Sequence, residues 1–329
     1  MPRVLGIGSA LLDQLIHVPE AFVRALPGRK GGMELVDQAE RRRLLDSLPG
    51  VPGTASGGSA ANTLVGLAEL GLPARLLAMT GTDAEGEAYR QHAARAGVEL
   101  TAMKRHAGLP TGVCLSLITP DGERTMRTYL GAAAALTTAE IGPADVTGCT
   151  HLMAEGYMLY NRPLLLHVLR LAQAASCRIC LDLAAPEVVQ AAADVLPGLL
   201  ADYADMVFAN ETEAAAFAGT SDPSAALAAL GRLCRVAVVK LGAAGALLKQ
   251  GEETVHVPAR NVKVVDTTGA GDLWAAGFLY GMLNGCSLAT SGRMGAAVAA
   301  EVVSVLGATL PAATWTRLRA QLQSMRTET

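Results

Sequence analysis

Short β-prone runs alternate with alanine-rich helical stretches along most of the 329-residue chain. Val4–Ile7 reads as an opening strand, with Gly6 and Gly8 letting the chain turn closely past a neighbour or ligand. SAANTLVGLAELG has the spacing of a helix that stops at Gly71. ARLLAMTG then reads as a strand, and GTDAEGEAYRQHAARAG as a loop and helix. The alternation continues through THLMAEG, LLLHVLRLAQAA, RICLDLA, MVFANETEAAAFAG and VAVVKLGAAGALLKQ, then a short strand in EETVHVPA. From Ala270 to about Leu322 the pattern is helical, broken near Gly285 and Gly307. This is the rhythm of an α/β fold, a sheet covered by helices.

Two stretches interrupt it. TGVCLSLITPDGERTMRTYL, Thr111–Leu130, predicts a hairpin about a Pro-Asp-Gly turn. GGMELVD at 31–37 leads into a charged segment reaching Leu48, and PGVPGTASGGSAAN reads as a turn-rich loop. The expectation is a single domain over residues 1–329, with a small β-rich lid built from non-contiguous segments near 10–48 and 108–130.

Composition narrows the function classes. Apolar residues make up 51% of the chain, which argues for a packed core. The 27 basic and 30 acidic side chains leave a formal charge of −3, and no basic stripe runs at helical period, so nucleic acid is not an expected partner. No stretch has the length and apolarity of a membrane span, and the start MPRVLGIGSALLD lacks the apolar block of a secretion signal. A cytoplasmic protein, monomeric or homodimeric, is expected. CRIC, Cys177–Cys180, lies in a β-prone run and reads as buried thiols, since a zinc site needs more ligands. The six histidines show no metal-ligand spacing, and GxSxG and GxxxxGK[ST] are both missing.

The candidate chemistry centres on DTTGAGD, Asp266–Asp272. NVKVV before it reads as a short strand and LWAAGFLYGML after it as a helix. Gly269, Ala270 and Gly271 would then present helix-start N–H groups to an anion. Asp272 beside them is placed to take a proton from a substrate hydroxyl, and it reads equally well as a first-turn helix acid. Asn210 and Glu213 in FANETEA open a helix. They suit Mg²⁺ held directly or through water, and they suit a cap. Lys240 ends a strand, and Gly242 follows where a loop can lie along phosphates. Gly57 and Gly58 permit close backbone approach, while Asn62 and Asp13 suit the hydroxyls of a sugar.

These motifs carry a resemblance. DTTGAGD with its small-residue helix resembles the second motif of the ribokinase-like, or PfkB, carbohydrate kinase family. SGGSAAN resembles that family's earlier glycine motif and NETE its NxxE segment, in the family's order and across nearly the whole chain. The resemblance implies a three-layer α/β/α fold with a mostly parallel central sheet and a β-rich lid over the acceptor. It implies Asp272 as catalytic base and Gly269, Ala270 and Gly271 as anion hole. Asn210 and Glu213 would organise Mg²⁺–ATP, Thr267 and Lys240–Gly242 would lie near the nucleotide, and Asp13, Gly58 and Asn62 would hold ribosyl hydroxyls. A K⁺ ion near the anion hole is a further expectation of the same likeness. FANETEAAAFAG, TGVCLSLITPDGERTMRT and AEGY resemble the adenosine kinase branch, with Met33, Cys114, Leu130 and Tyr157 as candidates for the slot of the base. That branch implies phosphorylation of adenosine at its 5′-hydroxyl. Other nucleosides (inosine, guanosine, cytidine), a free sugar such as ribose or fructose, or a catalytically silent nucleoside-binding protein remain alternatives.

Overall fold

The computed structural model describes residues 2–327. Its main sheet has eight strands in the spatial order Glu253–Val257, Ala246–Gln250, Val236–Lys240, Met206–Asn210, Arg178–Asp182, His151–Glu155, Val4–Ile7 and Ala74–Leu77. The six from Val236–Lys240 to Ala74–Leu77 are parallel, and the other two add an antiparallel edge. The expected three-layer α/β/α architecture with a largely parallel sheet is therefore present.

Both faces of the six parallel strands are buried, so these strands read as nearly continuous apolar runs. Successive side chains still go to opposite layers. Met153, Phe208 and Val238 pack on the side of the helices Ser59–Glu69, Ala270–Leu283 and Leu288–Val302. Leu152, Val207 and Val239 face the other layer, which includes the helix Arg162–Ala174. CRIC contributes buried free thiols at Cys177 and Cys180.

A second sheet has five strands in the order Met33–Leu35, Arg124–Tyr129, Gly112–Ile118, Leu11–His17 and Gly53–Ser56. Its outer face carries Ile16, Leu115 and Leu117 against Val23 and Leu44 of two short helices. On the alternate positions Asp13 stands opposite Cys114, and Cys114 opposite Thr128. Two local expectations change here. Gly53–Ser56, read as loop, pairs antiparallel with Leu12–Leu15 as an edge strand. ARLLAMTG is two strands, because Met79–Gly81 leaves the main sheet to pair with Lys104–His106.

A third expectation fails at NVKVV. Asn261–Val265 forms no strand, and the edge of the sheet is already taken by Glu253–Val257. The segment is pinned instead by the N–H groups of Val265 and Asp266, which both donate to the Val303 carbonyl. Among the described residues no helix is long and apolar enough to cross a membrane.

The helices Ala270–Leu283 and Leu288–Val302 approach closely enough that only glycine fits at several contacts. A Cβ on Gly295 would lie 2.8 Å from the Trp274 carbonyl and 2.9 Å from its indole, a ring that itself stacks on Phe278 at 5.3 Å. Gly295→Val should lower unfolding stability by about 1–3 kcal/mol, the range for overpacked cores. A denaturant midpoint equal to that of the unsubstituted protein would show that this helix pair is not so tightly set.

Candidate active site

Four neighbouring strands of the main sheet end, at their C-terminal tips, on polar side chains: Glu155, Asp182, Asn210 and Lys240. All four line one cleft of about 1110 Å³, between the main sheet and the five-stranded sheet. The C-terminal edge of a parallel sheet is where the loops diverge and leave room for a ligand.

Asp272 sits in that cleft on the first turn of the helix Ala270–Leu283. The Ser59 hydroxyl donates to Oδ1 at 2.7 Å and the Asn62 amide to Oδ2 at 2.8 Å, while Thr63 Oγ1 donates to the Asp272 carbonyl at 3.1 Å. The carboxylate therefore does not cap its own helix. Burial pushes its pKa above the usual carboxylate range, against the Asn62 and Ser59 hydrogen bonds, with Asp182 adding and Lys240 opposing. Gly269 precedes it at φ +70°, a left-handed conformation that suits glycine, and a Cβ there would lie 2.5 Å from that of Ala308. The N–H groups of Gly269, Gly271 and Asp272 find no acceptor among the described residues. They leave a cradle of unpaired helix-start N–H groups beside the carboxylate, of the kind that suits an anion.

Asp266, the other carboxylate of the motif, does different work. Oδ1 accepts from the Thr268 N–H at 3.0 Å and hydroxyl at 2.7 Å, and Oδ2 from the Gly307 N–H at 2.8 Å. It ties the loop to the far end of the following helix pair. Despite burial, these hydrogen bonds hold its pKa below the ordinary value.

Lys240 Nζ pairs with Asp182 at 2.9 Å, and a Cβ on Gly271 would touch the same nitrogen at 3.1 Å. The ammonium is thus at the back of the cradle. Burial opposes its charge, but Asp182 and Glu213 raise its pKa on balance. Gly242 and Thr267 are exposed on the cleft wall. NETE forms a full capping box: Asn210 Oδ1 accepts from the Glu213 N–H at 2.9 Å, and Glu213 Oε2 from the Asn210 N–H at 2.8 Å. Glu213 is buried, and desolvation with Asp182 raises its pKa against the pull of Lys240. Among the described residues no three His, Cys, Asp or Glu side chains converge to hold a bare metal ion. The donor set suits a hydrated Mg²⁺, which keeps most of its waters.

At the other end of the cleft, Asp13 makes no side-chain hydrogen bond to the described residues. Burial pushes its carboxyl up to about 7, Arg124 opposes, and Asp272 and Asp266 add. Met33, Cys114, Leu130 and Tyr157 line the same space, with Gly58 and Asn62. Gly57 does not line it. It is buried behind Asp13, where a side chain would overlap that carboxylate, and its carbonyl accepts from Tyr89 at 3.2 Å.

Three cleft residues escape the sequence reading. Arg124, on the five-stranded sheet, donates to Thr268 Oγ1 at 2.6 Å and so reaches the glycine loop. Asp182 and Glu155 close the C-terminal ends of their strands. The one signal for them was a charged residue ending an apolar run, which is also how an ordinary strand ends.

A family model described as the pfkB family carbohydrate kinase matches residues 45–315. The chain belongs to the pfkB family of carbohydrate kinases. It is a phosphotransferase, and the family implies a reaction that uses ATP and Mg²⁺. The crystal structure of adenosine kinase from Sinorhizobium meliloti superposes with a TM-score of 0.90 at 34% identity, covering 97% of this kinase and 99% of that chain. An aminoimidazole riboside kinase of Salmonella typhimurium is 31% identical over 236 residues, 68% of this kinase and 72% of that protein. An uncharacterized sugar kinase of Archaeoglobus fulgidus is 48% identical over 73 residues, 22% of this kinase and 29% of that protein. The acceptor of a pfkB kinase of this kind is a sugar or nucleoside.

The depressed pKa of Asp266 gives a pH-dependent stability test for the kinase. Such a carboxylate contributes stability above its unfolded pKa and loses it as pH falls through the lower folded value. Asp266→Asn should cost about 1–3 kcal/mol at pH 7, and the gap from the unsubstituted protein should close as pH drops below 4. A gap that does not change between pH 7 and pH 3 would remove the charge from this account.

Proposed function

We propose that this kinase transfers the γ-phosphoryl group of ATP to the 5′-hydroxyl of adenosine, giving AMP and ADP. The observation that carries it is Asp272, braced through both oxygens, with three free N–H groups beside it. A helix acid with no further task needs no such bracing. The 5′-hydroxyl oxygen attacks the γ-phosphorus as its proton passes to an Asp272 oxygen, and the bond from phosphorus to the ADP oxygen breaks. The N–H groups of Gly269, Gly271 and Asp272 receive the charge on the transferred oxygens, with Lys240 behind them. Asn210 and Glu213 would hold Mg²⁺, which when bound would supply neutralisation of the phosphate charge.

The acceptor end supports a nucleoside. Asp13 and Asn62 offer directional groups to a ribosyl diol, and Met33, Cys114, Leu130 and Tyr157 offer an apolar slot for a base under the five-stranded sheet. The likeness to the S. meliloti adenosine kinase favours adenosine. The likeness to an aminoimidazole riboside kinase favours, as second reading, another ribosyl acceptor with a smaller base.

Purified protein with Mg²⁺–ATP and a panel of nucleosides and sugars decides among these. Adenosine should give the highest kcat/KM; a better turnover of ribose, fructose or another nucleoside would overturn the choice. Asp272→Asn tests the base separately. General-base assistance is worth roughly 10²–10⁴-fold, so kcat should fall by at least about 10² with nucleoside affinity and thermal midpoint little changed. In the unsubstituted enzyme kcat should fall with acid, as the raised carboxyl takes a proton. Near-normal kcat in the variant would return Asp272 to a structural role, since an amide there can still bond Ser59 and Asn62 but takes up no proton.

A further inference from the structure

We propose that Glu155 is a positioning residue for the transfer, acting as the missing N-terminal cap of the helix that braces the Asp272 carboxylate. That helix, Ser59–Glu69, begins at Gly58, which has φ +92° and no side chain to cap with. A Cβ at Gly58 would overlap the Ser9 carbonyl, so a capping residue cannot replace the glycine without moving the neighbouring strand. The helix start therefore lacks the side-chain oxygen that normally satisfies its first N–H groups.

Glu155 supplies one from another element. Its side chain is 1% exposed, at the tip of His151–Glu155. Oε2 accepts from the Ala60 N–H at 3.2 Å, and Oε1 from the Ser9 N–H at 2.7 Å. Gly8 leaves the space for it, because a Cβ there would overlap Oε2. Ala60 lies on the same turn as Ser59 and Asn62, the two residues that fix the Asp272 carboxylate. Ser9 lies between the strands Val4–Ile7 and Leu11–His17, and the second of these carries Asp13. One buried carboxylate thus sets the acceptor strand and the bracing helix relative to each other. A displacement of even 1 Å at a site of this kind is costly in rate.

The inference rests on Asp272 as the base, and its tests separate the two claims. In the unsubstituted protein the Ser9 and Ala60 amides should exchange with solvent on the order of 10²-fold more slowly than free amides; fast exchange at Ala60 overturns the cap whatever Asp272 does. Glu155→Gln keeps the volume but turns a donor toward one of the two N–H groups. It should lower kcat by about tenfold to a hundredfold while leaving KM for ATP unchanged. Combined with Asn62→Ala, the loss should be smaller than the product of the single losses, because both act through one helix. Multiplying losses, or a normal kcat in Glu155→Gln, would overturn the proposal. If Glu155→Gln does not fold, the exchange result on the unsubstituted protein decides.

Discussion

The docking of the helix Ser59–Glu69 against Ala270–Leu283 is the contact on which the rest of the site depends. A Cβ on Gly66 would lie 2.7 Å from the Ala276 Cβ and 3.0 Å from Leu273 Cδ2, so the two helices meet at a distance that only glycine permits. At that distance Ser59, Asn62 and Thr63 reach Asp272 across more than 200 residues of chain. A looser contact would leave the carboxylate facing water, its pKa near the ordinary value and its direction unset. In the proposed transfer, close helix packing and proton chemistry would be the same constraint.

Charge in the cleft is organised around this contact. Asp182, Glu213 and Asp272 gather where the proposed transfer would also bring phosphate, an arrangement that would repel the ligand unless a cation intervenes. Lys240 is that fixed cation, paired with Asp182 and lying against Gly271. Its ammonium, the helix-start N–H groups and a hydrated Mg²⁺ would share the task of neutralising the donor. Asp13 stands apart, without a side-chain hydrogen bond among the described residues and raised in pKa, at the end of the cleft where neutral hydroxyls suit it better than phosphate.

The two carboxylates of DTTGAGD show how one motif divides between structure and, in the proposed transfer, chemistry. Asp266 has both oxygens turned inward on Thr268 and Gly307, which fixes the loop. Asp272 has both oxygens held by a different helix and its N–H without an acceptor among the described residues, on the wall of the cleft. NETE divides in the same way. The capping box is real, so the bland reading of Asn210 and Glu213 holds, and the box also buries Glu213 within the field of Lys240 and Asp182.

Periodicity, turn residues and motif spacing are local, so the alternation of strands and helices, the hairpin in Thr111–Leu130 and the glycine loop were legible in the sequence. It pointed to Asp272, Asn62, Asp13 and Lys240, since unusual residue types in short motifs are visible without contacts. It misread NVKVV, whose β-propensity finds no edge to pair with, and Gly53–Ser56, whose turn-like residues do find one. Glu155, Asp182 and Arg124 were beyond its reach. Their partners lie 58 to 146 residues away along the chain, and burial raises the Glu155 carboxyl only once the fold has removed the water. Which amide a carboxylate meets is decided by the packing of separate elements, and no local pattern encodes it.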